Sequence, residues 1–266
     1  MKALITGASS GMGADMARVL VDLGHEVILV ARRKGKLDKL AKELGEAANV
    51  IVMDISSTYN CMELYRMVKK EKIDILINNA GFGLFGEFNS SSIDKELDMI
   101  DLNIKAVHTL TKLFLKDFKK RNSGYILNVA SSAGFLPGPL MATYYSTKAY
   151  VLNLTQGIYE ELRREGSNVS VSILCPGPVD TEFNKVANVS FSLDGLSSDV
   201  VAKYAIDKMF KRKLIIIPGI KMKLAIFFMK FLPRKQLLKI AYSFQRKKGW
   251  KCIIIYVFLF YFSGYL

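Results

Sequence analysis

Histidine and cysteine are scarce in this chain of 266 residues, which has two histidines and three cysteines. No two of the cysteines, Cys61, Cys175 and Cys252, are closely spaced, which excludes the spacing patterns of a zinc site or a disulfide framework. We therefore expect no metal and a reducing, cytoplasmic environment. No signal-like apolar run precedes the first predicted strand, so no secretory targeting is expected.

Acidic residues are nearly absent from one stretch of the chain. Residues 203–251 hold 15 basic residues and a single acid, Asp207, out of 38 basic and 24 acidic residues in the whole chain. The remaining residues are therefore electrically balanced, and the net charge of +14 belongs to this segment. Its basic residues alternate with bulky aliphatic ones and match no nucleic-acid motif, so we expect no nucleic-acid binding.

Strand-like and helix-like patterns alternate along most of the chain. Half of the residues are hydrophobic and 23% are charged, which is typical of a folded globular protein. The alternation predicts a Rossmann-type α/β fold, a doubly wound parallel sheet of about seven strands with helices on both faces and ligands at the carboxyl ends of the strands. The predicted strands are 2–6, 25–30, 49–53, 73–77, 124–129, 169–174 and 214–219, and the main helices fall within 58–70, 92–121, 144–165 and 197–210.

A glycine-rich turn directly follows the first predicted strand. Small residues let the backbone approach an anion, and the N–H groups at the start of the next helix point towards it. The strand at 25–30 completes a βαβ unit, so the turn is predicted to bind the phosphates of a dinucleotide. The predicted phosphate-binding residues are Gly7, Ser9, Ser10, Gly11, Met12 and Gly13.

Two arginines follow the second predicted strand, where an acidic residue would hydrogen-bond the ribose of NAD. The guanidinium groups of Arg32 and Arg33 suit instead the 2′-phosphate of NADP. The sequence therefore favours NADP (NADPH) as the cofactor. The alternative is a basic turn that is merely exposed to solvent.

Two adjacent tyrosines precede Lys148 on a predicted helix. Residues four apart lie on one helical face, so Tyr144 and Lys148 project together, whereas Tyr145 points roughly 100° away. A nearby ammonium group is expected to lower the pKa of the phenol, which would then donate and accept a proton near neutral pH. On its own the spacing fits an amphipathic helix equally well, so the assignment depends on the other motifs.

These motifs occur together in the order of a known family. The chain resembles the classical short-chain dehydrogenases/reductases, and among them the 3-oxoacyl reductases and hydroxysteroid dehydrogenases, from residue 1 to about residue 220. The resemblance rests on the glycine turn from Thr6 to Gly13, Asp54, the NNAG sequence at 78–81, Asn103, Ser131, Tyr144, Lys148 and the stretch from Cys175 to Thr181.

The resemblance implies an NADP-dependent oxidoreductase that interconverts a carbonyl and a secondary alcohol. It gives Ser131 the role of hydrogen-bonding the substrate oxygen and Tyr144 that of general acid/base. Lys148 would tune Tyr144 and hold the nicotinamide ribose, and Asn103 would steady a water that replenishes protons. The family's serine lies 13 positions before its tyrosine, which selects Ser131 over Ser132.

Further cofactor contacts and an oligomer are also implied by the resemblance. The helices within 92–121 and 144–165 resemble the pair through which the family often dimerises, so we expect a homo-oligomer, either a dimer or a tetramer. The implied cofactor contacts are Asp54 and Ile55 at the adenine, Asn79 with Ala80 and Gly81 at the adenosine half, and Val179 and Thr181 at the nicotinamide amide, together with Tyr144 and Lys148.

The last part of the chain lies beyond the family pattern, so we divide the protein into a reductase domain at 1–220 and a basic, apolar extension at 221–266. Leu237, Ile240 or Ala241, and Phe244 recur at helical spacing beside a basic face, as in an interfacial helix. Residues 252–266 carry no charge but are fewer than the ~20 apolar residues of a spanning helix. The extension has three interpretations: it binds an anionic membrane surface, covers the substrate pocket or packs at a subunit interface.

The apolar extension favours an apolar substrate, such as an acyl chain or a sterol-like ketone. The rival hypothesis is a non-catalytic NADP-sensing or membrane-scaffold protein that retains the fold. A sensor needs the glycine turn but no proton-transfer groups, so the presence of Ser131, Tyr144 and Lys148 argues for an enzyme.

Overall fold

A parallel sheet forms the centre of the protein. The computed structural model describes residues 1–182 and 195–247. The strands in these ranges are β1 (Lys2–Thr6), β2 (Glu26–Ala31), β3 (Ala48–Val52), β4 (Ile73–Asn78), β5 (Gly124–Val129), β6 (Val169–Leu174), β7 (Val179–Asp180), β8 (Leu196–Ser197) and β9 (Ile215–Ile216). Seven of them form one sheet in the order β3-β2-β1-β4-β5-β6-β9, and every neighbouring pair is parallel.

Helices connect the strands and cover the sheet. Those in the described ranges are α1 (Gly11–Asp22), α2 (Lys34–Leu44), α3 (Thr58–Val68), α4 (Ile93–Ile100), α5 (Val107–Arg121), α6 (Ala142–Arg164), α7 (Ser198–Phe210), α8 (Ile220–Met229) and α9 (Arg234–Lys247). A π-helical turn, Asp101–Ala106, joins α4 to α5. This doubly wound arrangement confirms the predicted fold class.

Both faces of the sheet are buried, since successive side chains of a strand point to opposite faces. On β1, Ile5 packs in the cluster that includes residues of α1 and α7, whereas Leu4 packs in the cluster that includes residues of α3 and α5. Because helices cover both sides, β1, β4, β5 and β6 are buried along almost their whole length, including polar residues such as Asn128 and Ser172. Parallel strands bring their carboxyl ends, and the loops that follow them, to one edge of the sheet.

Three local features differ from the sequence prediction. The strand predicted at 214–219 spans only Ile215–Ile216, because Pro218 has no N–H to donate and Gly219 adopts a φ of +81°. The helix predicted within 92–121 is divided by the π-helical turn. The short parallel pair of β7 and β8 was not predicted, since two-residue strands carry no periodic signal.

The described part of the extension packs against the body of the protein. Leu237 and Ala241 of α9 are buried, and Gln245 donates a hydrogen bond to the Tyr145 hydroxyl at 2.6 Å. Leu237 and Ala241, two members of the stripe that was predicted to be interfacial, therefore face the protein. The side chain of Phe244, the third member, lies outside the described residues. That expectation for Leu237 and Ala241 is wrong.

The division into 1–220 and 221–266 stays a prediction, and the uncharged segment 252–266 lies outside the described residues. In the described part, the helices that follow residue 219 are short, α8 with 10 residues and α9 with 14. None of the described helices has the length and hydropathy needed to cross a membrane.

Candidate active site

A cleft of about 700 Å³ lies at the carboxyl ends of the strands. Its volume falls within the ~300–1,000 Å³ range of small-molecule sites. The structure brings nearly all of the predicted site residues to this one cleft: Gly7, Ser9, Ser10, Gly11, Met12, Arg32, Arg33, Asp54, Ile55, Asn79, Ala80, Gly81, Ser131, Tyr144, Lys148, Val179 and Thr181. Two predicted residues, Gly13 and Asn103, do not line it.

The glycine turn between β1 and α1 has the geometry of an anion site. Gly7 adopts a φ of +66°, and a Cβ there would lie 2.8 Å from the Cα of Ala80. Ser10, which precedes α1, makes no capping side-chain hydrogen bond within the described residues, so the N–H groups at the helix start are not capped by it. Uncapped helix N-termini bind phosphates readily, so this turn fits the pyrophosphate of a dinucleotide.

Gly13 has a packing role. A Cβ there would lie 2.5 Å from both the carbonyl oxygen of Gly7 and the Nδ2 atom of Asn79. That Nδ2 atom donates to the carbonyl oxygens of Thr6 and Gly7, at 3.0 and 3.2 Å. Gly13 thus permits α1 to approach β1 closely behind the turn, and the predicted cofactor contact is not seen in the lining of the cleft.

The two arginines after β2 differ in their surroundings. Arg33 donates to the Ser9 and Ser10 hydroxyls, with distances of 2.8 and 2.6 Å from Nη2, and pairs with Glu182 at 2.7 Å. Arg32 is more exposed and pairs with Asp54 at 3.4 Å. Arg33 therefore lies over the glycine turn, where a phosphate on the adenosine ribose would be met by several donors.

At the other end of the cleft, Ser131 and Tyr144 are joined by a side-chain hydrogen bond. Ser131 follows β5 and its Oγ also accepts from the N–H of Ala133 at 3.1 Å. Tyr144 lies in the first turn of α6 and is buried. The separation of 13 positions in sequence thus becomes a direct contact, because the loop between β5 and α6 folds back on itself.

Burial changes the acidity of the proposed proton donor. It raises the pKa of Tyr144 above the ordinary value, and the hydrogen bond with Ser131 opposes the rise only in part. The Lys148 Nζ lies 5.8 Å from the centroid of the Tyr144 ring. The expectation that Lys148 would lower the pKa of this phenol is therefore wrong here, because desolvation has the larger effect.

Lys148 is itself buried on α6. Its Nζ donates to the carbonyl oxygen of Val129 at 3.1 Å. Burial lowers the pKa of Lys148 to about 8, since the charged form loses its hydration. The ammonium group is thus held by a hydrogen bond at the end of β5 and lines the cleft. It is more acidic than the ammonium group of an exposed lysine.

Asn103 lies behind the cleft in the π-helical turn, a feature that often marks functional sites. Its Oδ1 accepts from the Phe82 N–H at 3.1 Å, and its Nδ2 donates to the Phe82 carbonyl at 2.9 Å and to Thr147 at 3.1 Å. A Cβ on Gly81 would lie 2.8 Å from Asn103 Oδ1 and 3.3 Å from Lys148 Nζ. Asn103 thus ties the loop after β4 to α6, and its role in holding a water stays a prediction.

An apolar wall surrounds the phenol of Tyr144. Met99, Ala133 and Met141 form a buried cluster with it, and Phe82, Leu84, Phe85 and Tyr145 pack against this cluster. Phe82 and Leu84 also line the cleft. They belong to the loop after β4, whose side chains have no periodic pattern, so the sequence did not show which of them face the site.

Sequence reasoning also missed Glu182 and Lys36. Glu182 lines the cleft and pairs with both Arg33 and Lys36. A glutamate that follows Thr181 carries no recognisable signal, because its partners Arg33 and Lys36 lie just before and at the start of α2, about 150 residues earlier in the chain. No cluster of His, Cys, Asp and Glu suited to a metal ion occurs among residues 1–182 and 195–247.

Comparison with known proteins agrees with this geometry. The family model described as short chain dehydrogenase matches residues 1–190. An uncharacterized oxidoreductase of Staphylococcus epidermidis is 35% identical over 185 residues, which are 69% of this chain and 80% of the relative.

Two solved structures are similar to the whole fold. A short-chain dehydrogenase from Sphingobium yanoikuyae in complex with NADPH is 30% identical, with a TM-score of 0.77 over 88% of this chain and 96% of its own. A short-chain dehydrogenase/reductase from Burkholderia phymatum in complex with NAD is 25% identical, with a TM-score of 0.79 over 86% and 92%. With a family model that covers well over half of its length, the chain belongs to the short-chain dehydrogenases and is an oxidoreductase of that family.

Proposed function

We propose that the protein is an NADP(H)-dependent carbonyl reductase that uses Tyr144 as its general acid/base. The observation that carries the proposal is one continuous cleft with two different ends. The glycine turn and Arg33 lie at one end, and the Ser131–Tyr144 pair and Lys148 lie at the other. A dinucleotide that spans the cleft would have its phosphates at donors and its nicotinamide near a proton source.

The residues of the catalytic end suit the reduction of a carbonyl. When bound, the nicotinamide supplies or accepts a hydride at the substrate carbon. Negative charge then develops on the substrate oxygen, and Ser131, beside Tyr144, would hydrogen-bond that oxygen. Burial raises the pKa of Tyr144, so its phenol is protonated near neutral pH and would supply the proton that the substrate oxygen takes up on reduction.

An apolar substrate is proposed from the wall around Tyr144. Phe82 and Leu84 present apolar side chains in the cleft, and Met99 and Met141 support them from behind. A carbonyl carried on an acyl chain or a ring system would bury apolar surface against this wall. Among the substrate classes that the sequence suggests, 3-oxoacyl chains and sterol-like ketones both meet this requirement.

Cofactor oxidation with a panel of carbonyl compounds tests the proposed reaction. We expect the purified full-length protein to oxidise NADPH faster with long-chain or cyclic ketones than with acetone, and faster than it oxidises NADH. Cofactor binding without turnover of any ketone, aldehyde or alcohol would favour the rival function, a non-catalytic NADP sensor or membrane scaffold.

Binding to an anionic membrane surface is a second proposal, which rests on α8. Ile220, Leu224, Phe227 and Phe231 recur along one side of this helix and its end, and each is 51–74% exposed. Lys221, Lys223, Lys230, Arg234 and Lys235 lie beside this stripe and are also exposed. Exposed apolar residues flanked by basic ones match the chemistry of an anionic lipid surface, where each basic residue near the surface adds ~1 kcal/mol.

Sedimentation with vesicles tests this surface. The full chain should pellet with vesicles that contain phosphatidylglycerol and should pellet less with pure phosphatidylcholine. A Phe227→Ser/Phe231→Ser variant should lose most of this binding, whereas Phe88→Ser, which changes a 71% exposed phenylalanine elsewhere, should retain it. Equal sedimentation of the two variants would contradict the proposal.

We also propose that the protein is a cytoplasmic homo-oligomer. Cys61 and Cys175 are unpaired and buried, in keeping with a reducing compartment. On α5 and α6, His108 and Tyr150 are joined by a 2.8 Å hydrogen bond at the surface. If these helices form the subunit interface, light scattering should give the mass of a dimer or tetramer, and Tyr150→Glu should shift it to that of a monomer.

A further inference from the structure

The adenosine end of the cleft contains a carboxylate where the proposed cofactor would place a phosphate. Glu182 Oε2 accepts from Arg33 Nη1 at 2.7 Å, and Glu182 Oε1 accepts from Lys36 Nζ. The Ser10 hydroxyl also hydrogen-bonds this carboxylate. A single anionic group is therefore held by a guanidinium, an ammonium and a hydroxyl.

These donors form a set that suits a phosphate group. Arg33 uses Nε and Nη2 on the Ser9 hydroxyl and Nη2 on that of Ser10, so its guanidinium is fixed above the glycine turn. Planar guanidinium groups bind phosphate oxygens through two parallel hydrogen bonds, and ammonium groups add a point charge. Lys36, on the first turns of α2, supplies that second charge.

Glu182 is charged over the whole physiological range. Its hydrogen bonds with Lys36, Arg33 and Ser10 lower its pKa to about 2. The side chain is nonetheless 43% exposed, so water can reach it and the two ion pairs are partly screened. An exposed carboxylate of this kind is exchangeable for a ligand anion, because it regains its hydration when it leaves.

We propose that Arg33, Lys36, Ser9 and Ser10 form a phosphate site that the Glu182 carboxylate occupies in place of a ligand, so that a phosphate on the adenosine ribose binds by displacing Glu182. This inference rests on the proposed NADP preference and adds two residues to it. Lys36 is a further phosphate ligand, and Glu182 is an internal competitor that sets how strongly the 2′-phosphate is favoured.

Binding of cofactor fragments, measured by calorimetry on the full chain, tests the competition without any turnover. The probes are 2′,5′-ADP, which carries the ribose phosphate, and 5′-AMP, which lacks it. We expect Glu182→Gln to bind 2′,5′-ADP about 3- to 10-fold more tightly than the unmodified protein, since exposed ion pairs contribute modestly. Its affinity for 5′-AMP should stay the same, and Asp180→Asn, two residues earlier at the end of β7, should change neither affinity.

Substitution of Lys36 is a second, independent test of the same phosphate site. Lys36→Ala should weaken binding of 2′,5′-ADP and leave 5′-AMP unaffected. Lys34→Ala is the matched control, because Lys34 is 71% exposed and pairs with Asp38 on its own helix instead of with Glu182.

Three other results of this binding experiment would each contradict a different part of the proposal. If Glu182→Gln weakens both nucleotides, Glu182 holds the ligand and does not compete with it, which overturns the inference. If 2′,5′-ADP is preferred equally in both proteins, the NADP preference stands and the competition is overturned. If neither protein prefers 2′,5′-ADP over 5′-AMP, the NADP assignment itself is wrong.

Discussion

The two ends of the cleft are built differently. At the catalytic end, Tyr144 and Lys148 are 8% and 5% exposed, and burial shifts the pKa of each away from its ordinary value. At the adenosine end, the side chains of Arg32, Arg33 and Glu182 are 68%, 47% and 43% exposed. Charges at the first end interact without the screening of water, whereas those at the second are screened.

Because of this difference in burial, substitutions at the two ends of the cleft should affect turnover and cofactor selectivity to different degrees. A buried group has fixed partners, so removing it leaves other groups unsatisfied and has a large effect. An exposed ion pair exchanges easily with water and with other anions, so its removal shifts affinity by a smaller factor. The catalytic end should therefore respond steeply to substitution, and the adenosine end gradually and in a salt-dependent manner.

The largest effect is expected from Tyr144→Phe, which removes the proposed proton donor and keeps the ring in its apolar wall. Turnover of the best ketone should fall by about 10²- to 10⁴-fold, the usual contribution of a general acid/base, while the Kd for NADPH changes little. The neighbouring Tyr145→Phe removes only the hydroxyl that Gln245 contacts, and should keep turnover within about 10-fold of the original. A dead Tyr145→Phe beside an active Tyr144→Phe would show that the wrong tyrosine has been assigned.

Lys148 offers a test of the buried end that does not depend on turnover. Its native pKa of about 8 lies below its ordinary value, so between pH 8 and the ordinary value the unfolded chain binds a proton that the native protein lacks. The contribution of this group to the free energy of unfolding thus rises with pH across that window. Below pH 8 the native protein carries the full cost of a buried charge.

Lys148→Met should therefore unfold at a higher temperature than the original protein at pH 7, although we expect it to be inactive. With ~1.4 kcal/mol for each pKa unit, the gain is about 1–3 kcal/mol, and it should shrink as the pH rises above 8. Thermal unfolding at several pH values measures this difference. The control is Lys42→Met, at an exposed position of α2, for which no such dependence is expected. A gain that is the same at all pH values would mean that packing, and not charge, is responsible.

The sequence predicted the buried end better than the exposed end, and the reason is physical. Apolar runs identified the six strands from β1 to β6 to within one residue at each end, and fixed spacings in an α-helix placed Tyr144 beside Lys148. Burial itself cannot be read from a spacing, so the direction of the Tyr144 pKa shift was predicted wrongly. The contacts of Glu182 depend on loops whose side chains have no periodic pattern.

The C-terminal extension is a second case in which the sequence predicted an apolar face but not the contacts of that face. Its basic charge and the helical spacing of Leu237 and Ala241 were evident from the sequence, because they depend on composition and period. Which apolar stripe faces the protein was not evident: α8 and α9 each carry apolar residues, and only packing shows that Leu237 is buried while Phe227 is exposed. Patterns indicate that a face is apolar, and the partner of that face is a tertiary property.

The smallest effects are expected from the two arginines. Arg33 contacts two hydroxyls of the glycine turn, whereas Arg32, among the described residues, pairs with Asp54 at a longer distance of 3.4 Å. Arg33→Ala should weaken NADPH binding by about 10-fold or more, because a charge-assisted hydrogen bond to a phosphate is lost, and Arg32→Ala by about 2- to 5-fold. The Kd for NADH should change little in either variant.

Because both sites are exposed, NADPH binding to the original protein should weaken as salt is raised, and Arg33→Ala should show less of this dependence. Equal losses for the two arginines, measured as Kd by fluorescence titration, would remove the distinction that the structure draws between them.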